Sequence, residues 1–258
     1  MRYYVVDAFA DRMFHGNPAG VCLADRKLDG RTMQRIAAQN NLAETAFLSE
    51  KDGAYHLRWF TPEEEIDLCG HATLAAAFVL MNEVRPALGD VVFETMSGPL
   101  RVVRGGELYT MDFPSRKPVP AGKPARLEEA LGCRVLETHQ SRDLLALVGS
   151  QQEVCQLRPN MEMLRKLDGK PTIIVTAKGE DCDFVSRFFI PHAGITEDPV
   201  TGSAHSTLIP FWSERLGKKE MLARQLSARG GTLFCKLCGD RVKIAGAAVL
   251  YLSGEIML

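Results

Sequence analysis

The sequence predicts an α+β fold of two similar lobes, each a strongly curved sheet wrapped around one apolar helix. Three observations carry this. Cys69-Gly70-His71-Ala72-Thr73 opens a segment that stays apolar on every side through Leu80, and a helix with no polar face must be buried all round. The surrounding stretch returns in the second half. Arg187-Phe188-Phe189-Ile190-Pro191 echoes Arg58-Trp59-Phe60-Thr61-Pro62 at an offset of 129, and Thr201-Gly202-Ser203-Ala204 echoes Cys69-Gly70-His71-Ala72 at 132. A third echo sets Gly98 and Gly106 against Gly231 and Gly239, at 133. Matches in one order at near-constant offsets read as duplication of about half the chain.

The elements follow in order. Tyr3–Ala8 reads as a strand, Phe14–Gly20 as a turn-rich loop with Gly16 and Pro18, and Val21–Ala24 as a second strand. Asp29 suits a helix N-cap, with Met33, Ile36, Ala37 and Asn40 spaced for a short helix. Leu42–Ser49, Tyr55–Phe60, Val91–Thr95, Leu100–Arg104 and Leu108–Phe113 read as further strands. Pro114, Pro118, Pro120 and Pro124 mark 115–126 as the link between lobes 1–117 and 118–258. The second lobe is expected to hold helices at Leu127–Leu131 and Met161–Leu167. Its strands are expected at Leu144–Val148, Thr172–Thr176, Asp183–Ile190, Gln225–Ser227, Thr232–Leu237, Arg241–Ala245 and Ala248–Leu252.

Composition excludes several classes. With 46% apolar and 24% charged residues, the 258-residue chain has the make-up of a globular protein. A net charge of −1 supplies no field to attract nucleic acid or an acidic membrane. The apolar helix is too short to span a bilayer, and Met1–Asp7 lacks a signal-peptide core. Seven irregularly spaced cysteines fit reduced thiols in the cytoplasm.

No phosphate-binding glycine loop is present, and no His or carboxylate cluster has zinc-site spacing, so no metal is expected. Cys235 and Cys238 form a lone C-x-x-C in a strand, where residues three apart face opposite sides; both read as structural thiols. The two helix starts are more informative. Gly70 and Gly202 let a ligand approach closely, and the first amides of a helix have no intrahelical partner, which makes an anion site. If the duplication sets the two starts face to face between the lobes, Cys69, His71, Asp198, Thr201 and Ser203 are candidate site residues. The competing reading is that Asp198 and Thr201 only cap their helix and Cys69 only packs. On spacing alone Glu44 reads as a rim carboxylate, Glu63-Glu64-Glu65 as a solvated loop, His205 as a packed ring, and His15 and Asn17 as parts of a turn.

Four segments taken together resemble the PhzF (phenazine biosynthesis-like) family: Phe14-x-Gly16-Asn17-Pro18-Ala19, Asn41-Leu42-Ala43-Glu44-Thr45-Ala46-Phe47, Cys69-Gly70-His71-Ala72-Thr73, and Asp198-Pro199-Val200-Thr201-Gly202-Ser203-Ala204-His205. The resemblance implies the diaminopimelate epimerase-like fold with its active site between the lobes. It implies a homodimer and a cofactor-independent isomerase that moves a proton on a small carboxylate-bearing substrate. It makes Glu44 the acid/base, with Asp198 and His71 orienting or polarising the substrate. Cys69, Gly70, Thr201, Gly202, Ser203 and Asn17 would bind it. The related epimerases use two opposed cysteines, whereas here the partner of Cys69 is Thr201, whose hydroxyl is too weak an acid for that role. Cys69 at a helix N-terminus is nevertheless expected to have enhanced thiolate character. The rival readings are an amino-acid racemase using Cys69 and a small-molecule binding protein without turnover.

Overall fold

In the computed structural model, which describes every residue except Lys27, Lys170, Ala193 and Gly194, the chain divides into Met1–Asp112 with Ala245–Leu258, and Phe113–Ile244. The first unit runs β1 (Arg2–Ala8), β2 (Asn17–Leu23), α1 (Gly30–Asn40), β3 (Glu44–Lys51), β4 (Ala54–Phe60), β5 (Glu65–Ile66) and α2 (Gly70–Val79). A π turn (Leu80–Val84), β6 (Asp90–Glu94), β7 (Leu100–Gly105) and β8 (Leu108–Pro114) follow. Asp29 caps α1, its side chain accepting from the Thr32 N–H, and Met33, Ile36 and Ala37 bury the helix's apolar stripe. They pack against Cys22, Phe47 and Phe60. β2 begins at Asn17, inside the segment expected to be a loop. Gly16 permits this sharp entry: its φ is +67°, and a Cβ there would stand 2.2 Å from the Ala8 carbonyl oxygen.

The second unit runs β9 (Val119–Pro120), α3 (Leu127–Leu131), β10 (Glu137–Gln140), β11 (Leu144–Leu147), α4 (Gln151–Gln156), α5 (Met161–Arg165), β12 (Ile173–Lys178), β13 (Phe184–Phe189) and β14 (Glu197–Asp198). It continues with α6 (Gly202–Leu216), β15 (Glu220–Gln225), β16 (Gly231–Cys238) and β17 (Arg241–Gly246). The proline-rich segment expected as a link lies within this unit. There Val119 and Pro120 pair with Gln140 and His139, and the Arg116 and Ala121 N–H groups donate to the Ser206 and Thr138 carbonyls. Helix α4 was not expected; Ser150 caps it, accepting from the Glu153 N–H. Strand β15 lies before the expected Gln225–Ser227. Its alternation buries Met221, Ala223 and Gln225, a pattern the polar Glu220, Arg224 and Gln225 hide in the sequence. The last strand, β18 (Ala248–Glu255), returns to the first unit and pairs antiparallel with β1. The C-terminal residues therefore belong with the N-terminal unit, not with 118–258.

The strand pairing repeats between the units. In the first, β2 is parallel to β3, β3 antiparallel to β4, β4 parallel to β6, and β6 antiparallel to β7. In the second, β11, β12, β13, β15 and β16 repeat the same succession. Parallel neighbours need a crossover, and the central helix supplies it in each unit: α2 between β4 and β6, α6 between β13 and β15. The sequence echo is physical. Gly106 and Gly239 both hold left-handed turns, at φ +63° and +67°. Arg58 and Arg187 each make a bidentate pair, with Glu65 at 2.6 and 2.7 Å and with Glu197 at 2.7 and 2.8 Å. Each guanidinium also lies over a ring, of Phe60 and of Phe189. These pairs tie the two-residue strand before the central helix to its neighbour, and so fix where the helix begins.

The central helices are held alike at their starts. Neither N-cap, Cys69 or Thr201, uses its side chain as a cap. Instead the residue four positions on binds the N-cap carbonyl: the Thr73 hydroxyl donates to Cys69 O at 2.5 Å, and His205 Nδ1 lies 2.8 Å from Thr201 O. Since a carbonyl only accepts, His205 carries its proton on Nδ1. Its Nε2 is buried with no hydrogen-bond partner among the described residues. Burial lowers the ring's pKa from 6.5 to about 4.

Two expectations follow. Arg187 is only 10% exposed at its side chain against 37% for Arg58, and it also reaches the Leu157 carbonyl at 2.9 Å. Arg187→Ala should cost about 2 kcal/mol in urea unfolding, because it removes a buried guanidinium and leaves the half-buried Glu197 carboxylate and the Leu157 carbonyl without their partner, whereas Arg58→Ala should cost about 1 kcal/mol or less. For His205, the folded ring refuses a proton that the unfolded chain accepts below pH 6.5. Its contribution is therefore full above that pH and falls away toward pH 4, by about 3 kcal/mol in all. The stability of His205→Gln should fall less steeply than that of the parent between pH 6.5 and 4.

Candidate active site

The start of α2 gathers three side chains that are distant in sequence. Glu44 opens β3, where it stands opposite Ala19 of β2. Cys69 and His71 come from the first turn of α2. His71 Nε2 lies 3.1 Å from Glu44 Oε2, and His71 Nδ1 lies 3.5 Å from Cys69 Sγ. His71 and Cys69 are 4% and 6% exposed, and the Glu44 side chain is 17% exposed. Neither Nε2 nor Oε2 has a well-aligned hydrogen-bond partner among the described residues, so the two atoms face each other across a short contact that is bent away from hydrogen-bond geometry. Asn17, at the start of β2, is fully buried two residues before the strand partner of Glu44.

Burial pushes the Cys69 thiol above its usual pKa, and the Glu44 charge adds to it; His71 works the other way and is outweighed. This corrects the expectation of enhanced thiolate character: desolvation exceeds the helix-end effect. Burial on its own disfavours a charged His71, but the negative groups on either side, Cys69 when ionised and Glu44, outweigh it and hold the ring's pKa well up.

The donor atoms of Glu44, Cys69 and His71 lie within 4.8 Å of one another, a set whose chemistry suits a thiophilic divalent cation and which sequence spacing could not reveal. The ring orientation argues against shared ligation. His71 turns one nitrogen to the thiol and the other to the carboxylate, so a single ion could not use all three without the ring turning. The three side chains form one contiguous series, thiol to imidazole to carboxylate.

The second unit carries its own cluster at the start of α6. The Thr201 hydroxyl donates to Asp198 Oδ2 at 2.5 Å, so Thr201 serves the carboxylate and does not cap its helix. Gln225, which sequence reasoning missed as a site residue, is fully buried in β15. It accepts from the Thr201 N–H at 2.8 Å and donates to Asp198 O at 2.7 Å. Ser203 Oγ accepts from Arg142 Nη2 at 3.1 Å, and Arg142 Nε stands 3.5 Å from the buried Asp143. Arg142 was missed too. Phe60 and Phe189 pair with Thr45 and Ile173, whose partners are Gly20 and Leu144; in that register Arg142 takes the place of Pro18, one residue after the position Asn17 holds in the first unit. Gly70 and Gly202 are the first residues of their helices, as expected. All seven cysteines are free, Cys235 buried and Cys238 half-buried. No helix among the described residues is long and apolar enough to cross a membrane.

Comparison with known proteins bears on the family and the fold. The profile of the phenazine biosynthesis-like (PhzC-PhzF) family matches residues 6–254. A Pseudomonas aeruginosa protein named as an uncharacterised isomerase is 48% identical over 255 residues, covering 99% of this chain and 98% of its own. The crystal structure of a PhzF-family phenazine biosynthesis protein from Enterococcus faecalis superposes with a TM-score of 0.97 at 46% identity, covering 100% of this chain and 99% of that one. A hydroxyproline epimerase from Agrobacterium vitis shares the fold alone, with a TM-score of 0.63 at 13% identity over 98% of this chain and 91% of that one. An epimerase-like fold, a profile match over nearly the whole chain and close isomerase relatives lead to one conclusion: the chain belongs to the PhzF family and is an isomerase.

Proposed function

We propose that this isomerase moves a proton on a small carboxylate-bearing substrate, with Glu44 taking the proton up and returning it at another position. One observation carries the reading: a partly exposed carboxylate lies 3.1 Å from a buried imidazole at a helix start. A base must reach its substrate, which the exposed part of Glu44 permits. It must also be held at one place, which His71 provides. The first amides of α2, at Gly70 and His71, have no intrahelical partner and favour the negative charge that develops when a proton leaves a carbon beside a carboxylate. On the second unit, the start of α6 offers amides of the same kind, the Ser203 hydroxyl and the Arg142 guanidinium, donors suited to holding a carboxylate. Asp198 there is oriented by Thr201.

The thiol racemase reading is disfavoured by two features. Burial keeps Cys69 a thiol near neutral pH, and the equivalent N-cap in the second unit is Thr201.

Incubation in deuterated water with a panel of small carboxylic and amino acids, read by mass spectrometry, tests the proposal. Label should enter one class of acid with the parent protein. Glu44→Gln should slow the labelling by about 10²- to 10⁴-fold, the usual weight of a positioned acid/base. Label that survives Glu44→Gln and is lost in Cys69→Ala would restore the thiol racemase. Binding with no labelling in any form would make the protein a binding protein.

A further inference from the structure

We infer that Cys69 is a positioning residue for the proton carrier: its sulfur and His71 Nδ1 share one proton, which leaves the proton on Nε2 permanently facing Glu44. This rests on the reading of Glu44 as that carrier, and three features of the first unit support it.

The thiol occupies the N-cap of α2 without a well-formed capping hydrogen bond, though the Ala72 N–H lies near enough to act on it; its side-chain partner is His71 Nδ1, at 3.5 Å. The imidazole is 4% exposed, and its other nitrogen faces Glu44 Oε2 at 3.1 Å. Chemistry then limits the protons. A neutral imidazole carries one N–H and one acceptor nitrogen. With the proton on sulfur, S–H donates to Nδ1, and the ring's proton must sit on Nε2. With the shared proton moved onto Nδ1, the ring is an imidazolium beside a thiolate, and Nε2 still bears its own proton. The two forms contain the same atoms and differ only in the place of one proton between Sγ and Nδ1. In both, Glu44 meets a donor. The form excluded is the neutral ring protonated on Nδ1, whose bare Nε2 lone pair would repel the carboxylate. The second unit supplies the contrast: Thr201, at the equivalent N-cap, gives its hydroxyl to Asp198, and position 203 is a serine. The two halves have thus given the N-cap side chain different partners.

Nuclear magnetic resonance of protein labelled with ¹⁵N in its six histidine rings reads this directly, through two-bond proton–nitrogen correlations at neutral pH. His71→Gln identifies the His71 signals by their loss. The parent should show a protonated Nε2, as the Nε2–H tautomer or as imidazolium. Cys69→Ser, which keeps a donor and acceptor at the site, should retain that pattern. Cys69→Ala should admit the Nδ1–H tautomer and move both nitrogen shifts. Parent signals assigned to His71 that show the Nδ1–H tautomer would overturn the inference, and this needs no Cys69 variant to fold. So would a Cys69→Ala spectrum superposable on the parent's. The labelling experiment with the acid panel separates the two claims. If Glu44→Gln abolishes exchange while Cys69→Ala leaves His71 unmoved, the carrier stands and Cys69 is only packing. If the tautomer moves but no protein exchanges label, the shared proton stands and the isomerisation chemistry must be sought elsewhere.

Discussion

Helix α2 is apolar around its whole circumference, and every residue from His71 to Ala77 is buried. Such a helix has no solvent face to choose, so strands must cover it on all sides. The crossover geometry of β4, α2 and β6 does this while placing the helix start just after a short strand pinned by the Arg58–Glu65 pair. Helix α6 obeys the same constraint and buries nearly all of its first twelve residues. Burial of these two helices is what forces polar groups at their starts into confined surroundings, where their hydrogen bonds must be complete and their charges are weakly screened.

The duplicated scaffold carries different side chains at its two helix starts. At the N-cap and two positions beyond it, the first unit places Cys69 and His71 and the second Thr201 and Ser203. Each start sits beside a carboxylate, but the carboxylates arrive differently: Glu44 comes from a neighbouring strand, and Asp198 from the short strand just before its own helix. The first cluster is therefore a chain of titrating groups, thiol to imidazole to carboxylate. The second is a fixed network in which Gln225, Thr201 and Asp198 bond one another. A chain that titrates suits proton movement, and a fixed network suits holding.

Where the sequence reading missed, the cause was polar side chains on buried faces. Strand β15 was placed too late because Glu220 and Arg224, on its outer face, break up the apolar signal of Met221 and Ala223; Gln225 in turn looks like a surface residue until Thr201 is seen beside it. Arg142 lay outside every echo compared, because the repeat there lies in strand register and not in residue identity. The end of the chain was assigned to the second half because order along the chain gave no sign that β18 returns to β1.

The sequence by itself determined the repeated units, the two buried helices with glycines at their starts, and the residue types of the candidate cluster. These follow from local pattern: apolar periodicity, turn glycines and the N-cap of α1 all act within a few residues. Tertiary structure alone decided that Glu44 meets His71, that Cys69 turns to Nδ1, and that burial makes that thiol a weaker acid. Those outcomes depend on which strands lie side by side and how much water they exclude, and a carboxylate 25 or more residues from its imidazole carries no local sign of either.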